Sequence, residues 1–321
     1  MATPAVEIPS TRPRLRGLRA FLDVGNGFTP YFLVLPTIIV VLAVAVYPIL
    51  NSFWFSSLNG PPGPATEFVG WSNYARLLAS SDFHSAISTT LIFTMISVTV
   101  ETIFGLGIAL LINDAFPGRT LVQAAILVPW AFPTVISAQM WSLMYNDRTG
   151  IISYILQQLH ILAPGATVLQ TNSGIITAAV IADVWKTTPF MVVVLLAGLQ
   201  VIPPEMYEAA SVDGATRFQQ FWAITLPMLN KPLTTALLFR TLASLGVFDL
   251  FYILGGNQVQ SMALYSFNYM FTRTTFDFAP GVAAAVILLV VVVCQIAYRF
   301  SAMMIVMKAA LKLTSTHKPE K

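Results

Sequence analysis

Six apolar runs, at roughly 30–54, 86–112, 121–145, 174–200, 232–255 and 281–307, decide what this chain can fold into. Each is long enough to cross ~30 Å of hydrocarbon as an α-helix. None shows the alternation of a barrel strand, and an open sheet would leave backbone polar groups unpaired in lipid. With 56% hydrophobic and 10% charged residues and a mean hydropathy of +0.74, the chain is far from the ~25% charge of a soluble domain. The expectation is an all-α membrane protein of six transmembrane helices, with no room for a separate soluble domain.

The run near the N-terminus follows Arg12, Arg14, Arg16 and Arg19, as a secretory signal does. It is long enough to span, contains Pro36 and Pro48, and continues into bulky SFWF where a cleavage site would need small residues. It is expected to remain as the first span. Those four arginines, Arg119, Arg217, Lys231, Lys308, Lys312, Lys318 and Lys321 then fall on one side, and Arg76, Arg148 and Arg273 on the other. Positive charge gathers on the cytoplasmic side, so both termini are expected there. The segments are a cytoplasmic 1–29, a six-helix transmembrane body 30–307 and a cytoplasmic tail 308–321. Trp71 and Tyr74, in the outer loop 55–85, are placed at the membrane interface.

Several chemistries are excluded. The net charge of +3 is spread without a basic, aromatic-interleaved face, so nucleic acid is not a partner. His84, His160 and His317 are scattered, which leaves no metal site, and no nucleophilic triad suggests a catalytic residue. The single cysteine, Cys294, reads as a small buried hydrophobe.

The longest polar run between two spans lies within 201–231, IPPEMYEAASVDGATRFQQFWAITLP. Pro203 and Pro204 suit a helix start, and Glu205 and Glu208 are expected in its first turn, where the dipole favours negative charge. Gly214 is expected to end that helix in the left-handed conformation. A second helix is expected over Thr216–Trp222. The spacing predicts a helix-turn-helix knob at the cytoplasmic surface, with small Ala209 and Ala210 allowing a partner to approach.

In this run Glu208, Ala209, Ala210, Gly214, Ile224, Leu226 and Pro227, with Asp213 beside the glycine, match the EAA coupling-loop signature throughout. With WKTTPF at Trp185–Phe190 and ITLPML, the chain resembles permease subunits of carbohydrate-type ABC importers, the maltose and trehalose permeases among them. The resemblance implies the type I importer fold and a chain that pairs with a second, related permease. It also implies two ATPase subunits, identical or different, and an extracytoplasmic sugar-binding protein or lipoprotein, all at the cell membrane of a bacterium or archaeon. No Gly-Lys dipeptide occurs, hence no P-loop. The chain carries no cofactor of its own, and ATP and Mg belong to the partner ATPase. After the fifth span, Gly255 and Gly256 are followed by Asn257 and Gln258, a departure from the family pattern at the outer turn.

An ion at the bilayer centre costs at least ~2.5–3.5 kcal/mol on insertion scales. Glu101, Asp183, Lys186, Arg240 and Asp249 therefore each ask for a partner or a wet cavity. Asp183 and Lys186 stand three apart and are expected to pair. Asp183, Trp185, Lys186, Arg240, Asp249 and Tyr252 form the candidate substrate path, with Phe248, Tyr265 and Tyr269 as further aromatic faces for sugar C–H groups. Gly105 and Gly107 are expected at a close helix contact, and Pro129 and Pro133 at a kink. The leading expectation is import of a di- or oligosaccharide such as trehalose or maltose by alternating access. A secondary transporter relaying ions through Glu101, Asp183 and Asp249 is the alternative, and a non-transporting scaffold for an ATPase the third reading.

Overall fold

The computed structural model describes residues 29–64, 66–256, 258–272 and 277–316, with the backbone alone at 29–30, 299–300 and 302–316. Segment 1–28, with its four arginines, lies outside the described residues, as do Asn257, Arg273, Lys318 and Lys321. The chain divides into two compact units, Met1–Trp54 and Phe55–Lys321. The first contains α1 (Thr29–Val41), a π-helical turn at Leu42–Val46, and the start of α2 (Tyr47–Phe55). Its apolar stretch Tyr31–Phe55 has the length of a span, as expected.

The second unit begins with α3 (Ser72–Leu78) and α4 (Ser81–Leu111). Ser80 caps α4 by accepting a hydrogen bond from the Phe83 amide at 3.3 Å. Then come α5 (Arg119–Ala131), α6 (Thr134–Met144), α7 (Ile151–Gln158) and α8 (Asn172–Leu199). The loop helices α9 (Pro204–Val212), α10 (Arg217–Gln220) and α11 (Leu226–Met228) precede α12 (Asn230–Leu245), α13 (Met262–Phe271) and α14 (Phe278–Thr316). Among the described residues no strand forms beyond an isolated bridge between Leu58 and Phe68.

Among the described residues, four helices are long and apolar enough to cross a membrane, Tyr31–Phe55, α4, α8 and the Phe278–Tyr298 part of α14. The pair α5 and α6 makes a fifth if counted as one span, but it is bent by 89°. The kink expected there is thus nearly a right angle. Pro133 lacks the amide that would carry the helix across, and its ring Cδ clashes with a helical backbone at Phe132, which is extended at ψ 138°. The run 232–255 is not the continuous helix expected from its apolar residues. It stops at Leu245 and resumes at Asp249, after which Phe251–Gly255 is π-helical. At the break, the Val247 carbonyl accepts from Ser261 Oγ at 2.5 Å, so the lost helical bond is replaced.

Helix α8 is central: 67% of its apolar stretch is buried in the protein, against 33% for α4 and 28% for the apolar part of α14. It runs alongside α4 in the same direction. Phe93 packs with Ala178, Ala182 and Phe251 near one end, and Ala109 and Ile112 pack with Val192, Leu195 and Leu199 near the other. Gly105 sets the closeness of the two helices, since a Cβ there would stand 2.5 Å from the Met191 Cβ. Gly107 has open space around it, contrary to the expectation that both glycines serve packing. Gly105→Leu is therefore expected to cost about 1–3 kcal/mol by overpacking, read as a lower unfolding temperature in detergent, whereas Gly107→Leu leaves that temperature unchanged.

The expectation for Cys294 fails, because its side chain is exposed. It lies on the side of α14 that also presents Val290 and Val293. Apolar side chains gain nothing by facing inward when the solvent is itself hydrocarbon. Trp71 is 79% exposed and lies tilted against Tyr74 with ring centroids 5.2 Å apart, as suits an interfacial aromatic pair.

Candidate functional site

Two regions carry the candidate residues, one at the C-terminal end of α8 and one halfway along it. At the end, α9 starts on Pro204 with Glu205 in its first turn. Glu208 is one turn further on than expected and exposed, because the helix begins at Pro204 and only Glu205 falls within its first four residues. The helix closes on Gly214 at φ +82°. The Gly214 amide donates to the Ser211 carbonyl at 3.1 Å and the Ala215 amide to the Ala210 carbonyl at 2.9 Å, which together form a Schellman cap. The next helix opens at once with a capping box: Thr216 Oγ1 accepts from the Gln219 amide at 3.4 Å, and Gln219 Oε1 accepts from the Thr216 amide at 2.8 Å. Gln220 Nε2 donates to Ser211 Oγ at 2.9 Å and ties the two helices together.

That second helix is shorter than expected, Arg217–Gln220, and a π-helical turn takes up Phe221–Thr225. The two halves of the motif then do different things. Glu208, Ala209, Asp213 and Gly214 are exposed, as are Phe218 at 72% and Trp222 at 55%. Ile224 packs inward with Tyr207 against Leu199, Ile202 and Leu229, and Tyr207 Oη lies 2.9 Å from Thr225 Oγ1. Leu226, half-buried, opens the short α11, and Pro227 follows it on the surface. One half presents a surface while the other anchors it to α8 and α12.

Halfway along α8, three helices meet through one guanidinium. Arg240 on α12 donates from Nε to Glu101 Oε2 at 2.6 Å and from Nη2 to Glu101 Oε1 at 2.8 Å, a two-pronged grip on a carboxylate of α4. Its Nη2 also reaches Asp183 Oδ2 on α8 at 3.0 Å and Ser244 Oγ at 3.2 Å. Thr187 Oγ1 donates to Glu101 Oε1 at 2.7 Å. Glu101 is wholly buried, and Asp183 and Arg240 are each 7% exposed. The expected pairing of Asp183 with Lys186 is thus replaced: Arg240 takes Asp183, because its planar fork matches two carboxylates where a single ammonium cannot.

Beside this network lies a cavity of about 280 Å³ lined by Asp183, Lys186, Arg240, Asp249, Phe248 and Trp130, among others. Four of the six expected path residues therefore share one cavity. Trp185 and Tyr252 do not line it: Trp185 packs edge-on against Trp141 at 5.9 Å, and Tyr252 stacks on Phe248 at 5.4 Å. Tyr265 and Tyr269 belong to a separate cluster with Phe83 and Leu77. Trp130, Thr134 and Ser244 were not picked out from the sequence. Pro129 and Pro133, which flank the first two, are the signal that pointed there. At the outer turn, Gln258 Nε2 donates to the Gln170 carbonyl at 3.2 Å and to Asn172 Oδ1 at 3.0 Å, so this departure from the family pattern ties the turn to the start of α8.

A family profile described as "Binding-protein-dependent transport system inner membrane component" matches residues 16–304. The trehalose/maltose transport system permease protein MalF of Thermococcus litoralis is 42% identical over 267 residues, covering 82% of this chain and 89% of that protein. The trehalose transport system permease protein SugA of Mycobacterium tuberculosis is 35% identical over 264 residues, 81% of this chain and 83% of its own length. Among solved structures, a chain of a bacterial alginate ABC transporter in complex with alginate pentasaccharide-bound periplasmic protein aligns with a TM-score of 0.74. It covers 88% of this chain and 96% of that one at 24% identity, and the likeness is one of fold.

Proposed function

Since this chain belongs to the family of binding-protein-dependent transport system inner membrane components, we propose that it is the permease subunit of an ATP-driven sugar importer in the cell membrane. The substrate class is a di- or oligosaccharide of the trehalose or maltose kind, a reading supported by the names of the relatives. The partners are a second permease of the same family, two ATPase subunits that bind ATP and Mg, and an external sugar-binding protein. In this reading residues 30–307 make six spans, with 1–29 and 308–321 in the cytoplasm. The segment 201–231 docks on an ATPase. Closure of the ATPases moves the knob, and the knob moves α8 and α12 between inward-open and outward-open arrangements.

The observation that carries this reading is the division of labour within the knob: Glu208, Ala209, Asp213 and Gly214 are exposed, while Ile224 packs against Leu199, Ile202 and Leu229. An ordinary connector needs neither the doubled cap nor the exposed Phe218 and Trp222, which suit burial against a partner. The charge network argues against ion relay. Glu101 and Asp183 are both engaged by Arg240, so two of the three carboxylates that such a relay would use already have a cationic partner.

Reconstitution in proteoliposomes tests the proposal. The chain, its sister permease, the ATPases and loaded binding protein together are expected to accumulate sugar only with ATP. Uptake driven by an ion gradient without ATP would replace this reading with the secondary transporter, and no uptake with intact ATPase binding would leave a scaffold.

A further inference from the structure

We propose that α7 lies flat in the membrane interface, at the end of α8 opposite the knob, with its outward isoleucines and tyrosine seated among the lipid headgroups and the first carbons of the acyl chains. The proposal rests on the chain's place in the membrane and not on what it carries.

The helix is built the wrong way round for water. Its inward side holds polar groups: Ser153 is fully buried and donates from Oγ to the Tyr145 carbonyl at 2.8 Å. Gln157, one turn on, donates from Nε2 to the Ala166 carbonyl at 2.9 Å. Its outward side holds Ile151, Tyr154 and Ile155, at the i, i+3 and i+4 spacing of one helix face. Leu159 and Ile161 extend that surface past the helix end, and all five side chains are between 48% and 65% exposed.

Both ends of the helix are held, so this orientation is fixed. At the start, Gly150 comes so close to the end of α6 that a Cβ there would stand 2.5 Å from the carbonyl oxygens of Met144 and Asn146. Asn146 Oδ1 ties the same turn by accepting from the Arg148 and Thr149 amides at 3.0 Å each. At the finish, His160 takes φ +58°, a left-handed conformation that no other non-glycine residue adopts among the described residues. The Ile161 amide then donates to the Leu156 carbonyl at 2.9 Å, the closing bond of a Schellman cap.

Two observations name lipid as the occupant of the outward face. The surface continues that of α6, where Val135, Ile136, Met140 and Leu143 are exposed as well. In a membrane component, apolar side chains left uncovered within the chain face hydrocarbon at no cost. Secondly, no Asp, Glu, Lys or Arg occurs between Arg148 and Asp183. A surface that catches and releases a soluble protein has a polar rim and charges that steer the encounter, whereas an interfacial helix draws its binding from buried apolar area.

The depth follows from the neighbours. The exposed Asp147–Arg148 pair, 3.9 Å apart, stays at the water boundary. α7 begins three residues later, which places it at the interface and no deeper. Tyr154 suits that level, with an apolar ring and a hydroxyl for the headgroups. Ser153 Oγ also donates to Thr167 Oγ1 at 3.3 Å, four residues before the Thr171 cap of α8, so the seat fixes the depth at which α8 starts.

The test reads depth with a nitroxide at Ile155→Cys or Leu159→Cys in a Cys294→Ser background. The labelled chain is assembled with its sister permease and ATPases in phosphatidylcholine proteoliposomes. Collisions with oxygen, which concentrates in hydrocarbon, are compared with collisions with a water-soluble nickel chelate. Both labels are expected to favour oxygen and to lie ~5–10 Å below the headgroup boundary, while a label at Arg148→Cys favours nickel. Adding loaded binding protein is expected to change none of the three. Nickel contact at Ile155→Cys and Leu159→Cys equal to that at Arg148→Cys overturns the proposal, because the face then lies in water. An immobile label shielded from both reagents overturns it in favour of a neighbouring subunit, and shielding that arises only with binding protein makes the face that protein's dock. Depth is read without transport, so a failure of ATP-driven uptake would remove the importer reading and leave this one standing.

Discussion

Arg240→Met is expected to be the most damaging single substitution in the membrane region, lowering stability by about 3–5 kcal/mol and leaving little assembled permease. The methionine fills much of the space but satisfies nothing. Glu101, wholly buried, would keep one hydrogen bond from Thr187, and Asp183 would lose its only ion pair among the described residues. An uncompensated buried charge costs far more than the pair is worth over an apolar replacement. Two controls separate these terms. Arg240→Lys is expected to be nearly as harmful, since an ammonium cannot reproduce the 2.6 Å and 2.8 Å grip on both oxygens of Glu101. The triple change Arg240→Met, Glu101→Gln and Asp183→Asn removes all three charges and is expected to recover most of the lost stability, although not transport. The measurement is the yield and unfolding temperature of the purified complex in detergent. A well-folded Arg240→Met single variant would show that the network is dispensable.

Gly214→Trp is the second expected large effect, and its signature is different. Nothing lies within 4 Å of where a Cβ would be, so bulk alone is tolerated inside the chain. The backbone is the obstacle, because φ +82° strains any L side chain and the Schellman cap depends on that conformation. A bulky ring would also stand on the exposed surface next to Glu208 and Asp213. The spans are expected to insert normally while ATP-driven uptake falls at least ~100-fold and the ATPase no longer co-purifies. Gly214→Asn, a residue that tolerates the left-handed region, is expected to be milder. Unimpaired uptake in the tryptophan variant would remove the coupling role.

Much of this was legible from local sequence. α4 and α8 are long apolar runs whose ends carry capping residues, and the knob announced itself through paired prolines, a glycine and the EAA spacing. What escaped was set by partners far along the chain. The local rule that joins Asp183 to Lys186 gave way to Arg240, 57 residues on, and to its grip on Glu101 across 139 residues. The sequence did hold one clue, that among the buried ions only arginine can hold two carboxylates at once. The helices α7 and α13 are each too short to stand out as a span. The Ser261 cap, which accepts from the Leu264 amide at 3.2 Å, was the available sign for α13. The break after Leu245 was hidden because Gly246, Val247 and Phe248 are as apolar as a span requires, and only the Ser261 contact makes stopping there cheap.

Lys186 sits on the helix that ends at Leu199, about one turn of chain before the knob's proline pair, so about 20 Å of helix separates the cavity from the end that carries the knob. Pro189 is the single joint in that pushrod, for it removes the backbone donor opposite the Trp185 carbonyl. In an importer built this way no gearing intervenes between engine and cargo. In the proposed mechanism a stroke of a few ångströms delivered by the ATPase would reach the cavity at full length, and the slack in the linkage would lie at Pro189, one turn from Lys186.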